Sequence, residues 1–200
     1  SEQWVYGDGN YLYFDNGKYE QVSGRTENLS ETTIKAQPSL MELRGKSLVN
    51  LGDADGADRV WEKWVALSPD SALANFYYAD SLARSNDLDR VLEHLETARS
   101  LKPGYMPARL SIIRITAQSG DMDKAFEEME KLQSEMREDR ADVWYTQGWL
   151  NARAGNFVAA EQALQKSLSL KPSPETAMLL ATAVSSQGRA DDGLALLEAG

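Results

Sequence analysis

The chain has no cysteine and a single histidine in 200 residues. The first absence excludes disulfides, thiolate nucleophiles and cysteine-ligated metals, and it fits an oxidising compartment as well as a reducing one. With one histidine there is no H-E-x-x-H zinc site and no Cys/His cluster, and no serine hydrolase arrangement emerges. No G-x-x-x-x-G-K-[ST] loop is present to cradle a nucleotide. No apolar run approaches the ~18 residues of a membrane span. Positive charge is also scarce: 21 Lys and Arg stand against 31 Asp and Glu, a formal net charge of −10. A surface of that sign repels phosphate backbones and anionic membrane surfaces, so neither nucleic acid nor direct membrane insertion is expected.

What the chain does have is a period. Pro69 and Pro103 are 34 residues apart, and Pro172 follows two periods and one residue later. Gly52, Asn86, Gly120, Gly155 and Gly188 recur at spacings of 34, 34, 35 and 33 residues. A small residue follows in step at Ala57, Val91, Ala125 and Ala160, less well at Gly193. Self-similarity at this length marks stacked supersecondary units.

Each period holds two amphipathic helix patterns joined by a tight turn. In the second, Phe76, Ala79, Leu82 and Ala83 form one helix face, Asn86-Asp87 breaks it, and Val91, Leu92, Leu95, Ala98 and Leu101 resume it. Pro103 then ends the unit, since proline cannot continue a helix. Small residues at Gly45, Ala79 and Gly148 let paired helices approach, and the second helix supplies Trp61, Leu95, Met129 or Leu164 to the shared core. The units run roughly 38–71, 72–105, 106–140, 141–173 and 174–200, the last truncated. The third lacks the closing proline, so its second helix is expected to run long before Ala141. Because LALLEAG stops inside an amphipathic pattern and Ser1 is not a methionine, the chain is expected to be processed or part of a longer protein.

Residues 1–37 admit two arrangements. One is a β-meander with strands at Trp4–Tyr6, Tyr11–Phe14 and Tyr19–Val22 and a turn at Asn16-Gly17. The other is a degenerate helical repeat, because Gly17 precedes Gly52 by 35 residues. The agreement in phase tips the reading towards the repeat, although Gly7, Gly9, Gly24 and Thr26 fit a helix pair poorly.

Paired aspartates at 53/55, 87/89 and 121/123 recur with the period, always where the second helix opens. Aspartate there caps free backbone N–H groups and suits the positive end of the helix dipole. Capping is therefore favoured over a metal site, and GDADGADRVWE lacks the calcium-loop ligand pattern. His94, between Leu92 and Leu95, is expected to point outward as a solvated surface residue. Trp61, Trp64 and Trp144 are expected in the core.

The pattern resembles the tetratricopeptide repeat (TPR) family. The likeness is carried by Gly45, Leu48, Gly52, Ala57 and Pro69, then by Tyr78, Ala79, Leu82, Ala98 and Pro103. Most closely it is carried by Trp144, Gly148, Gly155, Phe157, Ala160, Leu164 and Pro172. It implies an all-α, right-handed solenoid of antiparallel helix pairs over 38–200, with four full repeats and a truncated fifth. It further implies that the first helices line a concave groove. The inward positions are then Lys46 and Asn50, Phe76 and Arg84, Leu110, Arg114 and Gln118, and Tyr145, Trp149 and Arg153. Cations and amides would hold a peptide backbone or carboxylates, and the apolar side chains would act as anchors. Glu42 and Asp80 beside them offer the alternative that the cations merely pair internally. The specific Lys/Asn clamp of the chaperone-binding subgroup is not matched, because Glu42 and Phe76 depart from it.

The expected function is a non-catalytic module binding a peptide or helix segment of another protein, with no cofactor. The alternative is a scaffold subunit of a bacterial envelope machine, for exopolysaccharide export or surface-protein sorting. The phrasing of residues 164–200 resembles long bacterial repeat proteins of such systems, which tilts the expected location to the envelope. An open core face on the last helix would also allow self-association.

Overall fold

A computed structural model describes residues 2–6, 10–14, 30–85 and 87–198. Among these, eleven α-helices follow a short two-stranded ribbon. The strands β1 (Glu2–Tyr6) and β2 (Asn10–Phe14) pair antiparallel, with Trp4 opposite Leu12 and Val5 opposite Tyr11. Over these two segments the chain is therefore extended and not the helical repeat that the phase favoured. Two glycines within three positions cost a helix about 1 kcal/mol each relative to alanine, whereas the aromatic-rich flanks suit strands. The expected turn at Asn16-Gly17 and strand Tyr19–Val22 lie outside the described residues.

The helices are α1 (Glu31–Ala36), α2 (Ser39–Asn50), α3 (Ala54–Leu67), α4 (Ala72–Leu82), α5 (Leu88–Leu101) and α6 (Met106–Gln118). They continue with α7 (Met122–Glu135), α8 (Ala141–Arg153), α9 (Phe157–Leu170), α10 (Pro174–Ser185) and α11 (Ala190–Glu198). A single 3-10 turn, Ala83–Ser85, extends α4. The chain forms two compact units, Ser1–Ala108 and Arg109–Gly200.

Three of the turns inside the pairs share one design. Gly52 N–H donates to Val49 O (3.0 Å) and Asp53 N–H to Leu48 O (2.9 Å), closing α2. The same two bonds recur at Gly120/Asp121 and Gly155/Asn156. This closure needs a left-handed residue, and Gly52, Gly120, Gly155 and Gly188 have φ of +80°, +99°, +80° and +83°. The next helix then opens under a side-chain cap. Asp53 Oδ1 accepts from Gly56 N (2.8 Å), Asp87 Oδ1 from Arg90 N (3.3 Å) and Asp121 Oδ1 from Lys124 N (3.1 Å). The recurring aspartates are caps, and among the described residues no group of three or more acidic or histidine side chains is placed to hold a metal.

In the first unit the core is Ile34, Met41, Leu48, Val60, Trp61, Trp64 and Ala74, with Tyr77 and Tyr78 packed against it. Trp64 is 0% exposed. Trp61 stacks on Tyr77 at 4.6 Å and lies 6.0 Å from Trp64. The indole of Trp61 fits because Gly45 has no side chain, since a Cβ there would run into the ring. In the second unit Gly148 does the same for Leu164, whose Cγ lies 2.5 Å from where a Cβ would stand. Ala160, Leu164, Leu180, Ala183 and Val184 form the core there.

Two local expectations change. Helix α7 ends at Glu135, where Met136 turns extended (φ −76°, ψ 140°), so it does not run on to Ala141. Trp144 is half-buried rather than a core residue. Its indole N–H donates to Asp139 Oδ1 (3.1 Å), and it lines a crevice of about 550 Å³ with Met136, Val143 and Gln147. Residues 136–140 connect the two pairs, and Asp139 anchors them by also pairing with Lys166 (2.8 Å).

Gly45→Ala is expected to destabilise the protein by about 1–3 kcal/mol, the usual cost of overpacking against a rigid neighbour. Lys35→Ala, on the exposed side of α1, should stay within about 0.5 kcal/mol. Urea denaturation followed by tryptophan fluorescence compares the two.

Candidate functional site

The residues expected to form a binding stripe lie on the first helices of the pairs, with Arg84 on the 3-10 turn that extends α4. In the first unit α2 brings Glu42 and Lys46 one turn apart, and their side chains form an ion pair of 2.6 Å. Tyr77, from α4, donates its hydroxyl to the same Glu42 Oε1 at 2.9 Å, and its ring lies under Lys46 Nζ at 5.4 Å. For Glu42, burial alone would raise the pKa, but the hydrogen bonds from Lys46 and Tyr77 outweigh it and hold the carboxyl below its usual range. For Lys46, burial works against the charge and is the largest single influence, yet the hydrogen bonds and charges of Glu42 and Tyr77 together outweigh it and raise the ammonium pKa. Burial is also the first cause of the raised Tyr77 hydroxyl. Phe76 meets Tyr105 edge-on at 5.2 Å, and Lys102 Nζ lies 5.2 Å over the Tyr105 ring. Burial, reinforced by the nearby Tyr77 and Glu42 charges, pushes Tyr105 to about 12.

Arg84 pairs with Asp58, and Asn50 turns back along its own helix to Lys46 O (2.8 Å). Here the internal-pairing alternative describes the cations: Lys46 and Arg84 each have a carboxylate. Tyr77 and Tyr105 were not among the expected contacts. Tyr77 adjoins Phe76 in sequence and was hidden by the choice of a single stripe.

In the second unit the balance differs. Arg153 lies 5.8 Å over the Trp149 ring, and Arg114 reaches only Ser111 Oγ at 3.4 Å. Among the described residues neither guanidinium has a carboxylate within ion-pair distance. Tyr145 and Trp149 are half-buried, and Gln118 and Arg153 are exposed. Met178, on α10, is 63% exposed. Leu110 does not serve as an open anchor, being only 6% exposed. Helix α6 also buries Ala108, Ile112, Ile113, Ile115 and Ala117, more than one face, so the residue chosen as groove-lining falls inside.

His94 departs from the solvated reading. Its Nδ1 meets Asn75 Oδ1 at 2.9 Å, and its ring stands edge-on to Tyr78 at 4.8 Å. Asn75 Nδ2 donates to Pro69 O (2.8 Å) and Ser71 O (3.0 Å), so its oxygen is the atom left for histidine, and Nδ1 carries the proton. The chain's one histidine ties α5 to α4 and, through Asn75, to the turn ahead of it, a structural role.

These helix pairs match known repeats. A tetratricopeptide repeat model matches residues 43–105, and a second matches 141–174. The chain belongs to the tetratricopeptide repeat family. Solved structures agree in fold. A chain of the APC/C hetero-tetramer Cut9-Hcn1 is 17% identical with a TM-score of 0.73, covering 92% of this chain and 36% of that one. This chain thus spans about a third of that protein's length. The TPR protein TTC0263 of Thermus thermophilus is 23% identical (TM-score 0.69), covering 76% of this chain and 84% of that one. PilW is 19% identical (TM-score 0.71), covering 91% and 86%. No functionally curated protein matches by sequence.

Burial first, then the Arg90 cation, hold the His94 pKa below its ordinary value, while Glu93 opposes them. A depressed histidine pKa means the unfolded chain binds the proton more readily. Its stability contribution is therefore complete above the unfolded pKa of about 6.5 and declines as pH falls below it. The urea midpoint is expected to drop between pH 7.5 and 5.5, and His94→Gln should reduce that drop.

Proposed function

We propose that the chain is a non-catalytic protein-interaction module that holds a peptide or helix segment of a partner along the groove formed by its first helices. The observation carrying this reading is in α8. Tyr145 and Trp149 are only half-buried, and Arg153 stands on the Trp149 ring with no carboxylate among the described residues. Tyr145 packs on the core of the unit with part of its ring and leaves the rest open, and large rings partly open beside an uncompensated arginine are the kind of residue that dominates binding energy where partners meet. Lys46, Asn50, Phe76, Arg84, Arg114 and Gln118 would extend the contact. Lys46 and Arg84 would do so only by exchanging a carboxylate already held.

The second reading is a scaffold subunit of a bacterial envelope machine. PilW, described as a type IV pilus biogenesis factor, motivates it as a relative in fold. Self-association is compatible with either reading, because Leu194 and Leu197 of α11 are 61% and 49% exposed whereas Leu164, one repeat earlier, is 0% exposed.

Partner capture from the source cell is expected to fall at least about tenfold for Trp149→Ala combined with Arg153→Glu, the loss of one good charged contact and one anchor. The far-ultraviolet spectrum should stay unchanged. Full capture by that variant would remove the groove reading. In-cell crosslinking separates the two functions: a module should return one client, a scaffold several assembly components.

A further inference from the structure

Within the second unit the stripe on α8 leads into a pocket of about 310 Å³ where α8, the end of α9 and the start of α10 meet. Tyr145 forms one wall, with Ala141 and Thr176 beside it. Two carboxylates, Asp142 and Glu175, and one ammonium, Lys171, also line it. Asp142 is already bound by Arg140 (2.7 Å), and Glu175 accepts from Ser173 (2.5 Å). With Arg140 counted, this end of the stripe carries two acids and two cations and is balanced, and it offers an aromatic wall. At the other end, Arg153 over Trp149 carries a positive charge that nothing among the described residues neutralises. Tyr145 and Arg153 are eight residues apart on one helix, a separation of about 12 Å along its axis.

Resting on the groove reading above, we propose that the occupant is an extended segment of another protein in which an apolar side chain enters the Tyr145 pocket. A side-chain carboxylate about 12 Å away then meets Arg153. At about 3.3 Å per residue, that distance corresponds to Asp or Glu about four residues from a Leu, Met or aromatic residue. Charge sets the direction: the acids at the Tyr145 end are balanced by Arg140 and Lys171, whereas Arg153 at the other end is free to attract a carboxylate. The guanidinium can bind the carboxylate bidentately while keeping its face on Trp149. The carboxylate belongs to a side chain, so the segment needs no free C-terminus.

The test is selection of C-terminally amidated random peptides on the full chain, followed by fluorescence anisotropy with individual selected peptides. Enrichment of Asp or Glu about four residues from an apolar residue is expected. Acid-to-amide replacement in the peptide, or Arg153→Glu in the protein, should each weaken binding about tenfold, as for a partly exposed charged hydrogen bond. Selection on the Arg153→Glu chain should instead favour Lys or Arg at that place. Peptides without the acid preference, but lost with Trp149→Ala, would overturn this inference and leave the groove reading intact. Peptides that bind Trp149→Ala/Arg153→Glu unchanged, or no enrichment at all, would overturn both.

Discussion

Close approach of paired helices is the constraint on which the rest depends. Gly45 and Gly148 leave room for one specific large side chain each, Trp61 and Leu164. Burying such a side chain contributes about 1.5–3 kcal/mol, and in a stack of pairs that contribution repeats at every crossing. Packing also claims part of the first helices: Leu110 is buried, Phe76 meets Tyr105 and Tyr145 lies against the core of its unit, whereas Gln118 and Arg153 stay exposed.

The stripe is chemically divided. In the first unit Glu42, Lys46 and Tyr77 satisfy one another, and Arg84 is held by Asp58. In the second, Arg114 and Arg153 have no such partner among the described residues. In a chain of net charge −10, two cations left without acids stand out more than their number implies. Exposed ion pairs contribute little to stability, so the pairs in the first unit matter more for the charge they neutralise than for folding.

The helix pairs, their turns and the aspartate caps were legible in the sequence because each depends on residues close in the chain. Gly52 and Asp53 act on the backbone immediately around them. The stripe was legible only in part. Leu110 sits at a position that lines the groove by analogy, but nothing in a single face pattern reveals that α6 is apolar on several sides at once. His94 looked solvated because its partner, Asn75, comes from the facing helix, 19 residues earlier. Asp58 as the partner of Arg84, 26 residues away, is equally invisible to a local reading. For residues 2–6 and 10–14 the strand preferences of the residues outweigh the match in phase at Gly17, which itself lies outside the described residues.

The connection at 136–140 shows how such an array absorbs irregularity. Repeat three is one residue longer than its predecessor, and the surplus is taken up where Asp139 is tethered to both α8 and α9. The next pair restarts from its own anchor, so an inserted residue causes a bump at one joint and does not rotate every later side chain out of line. Arrays built this way can drift in length from unit to unit while the surface they present downstream stays in step.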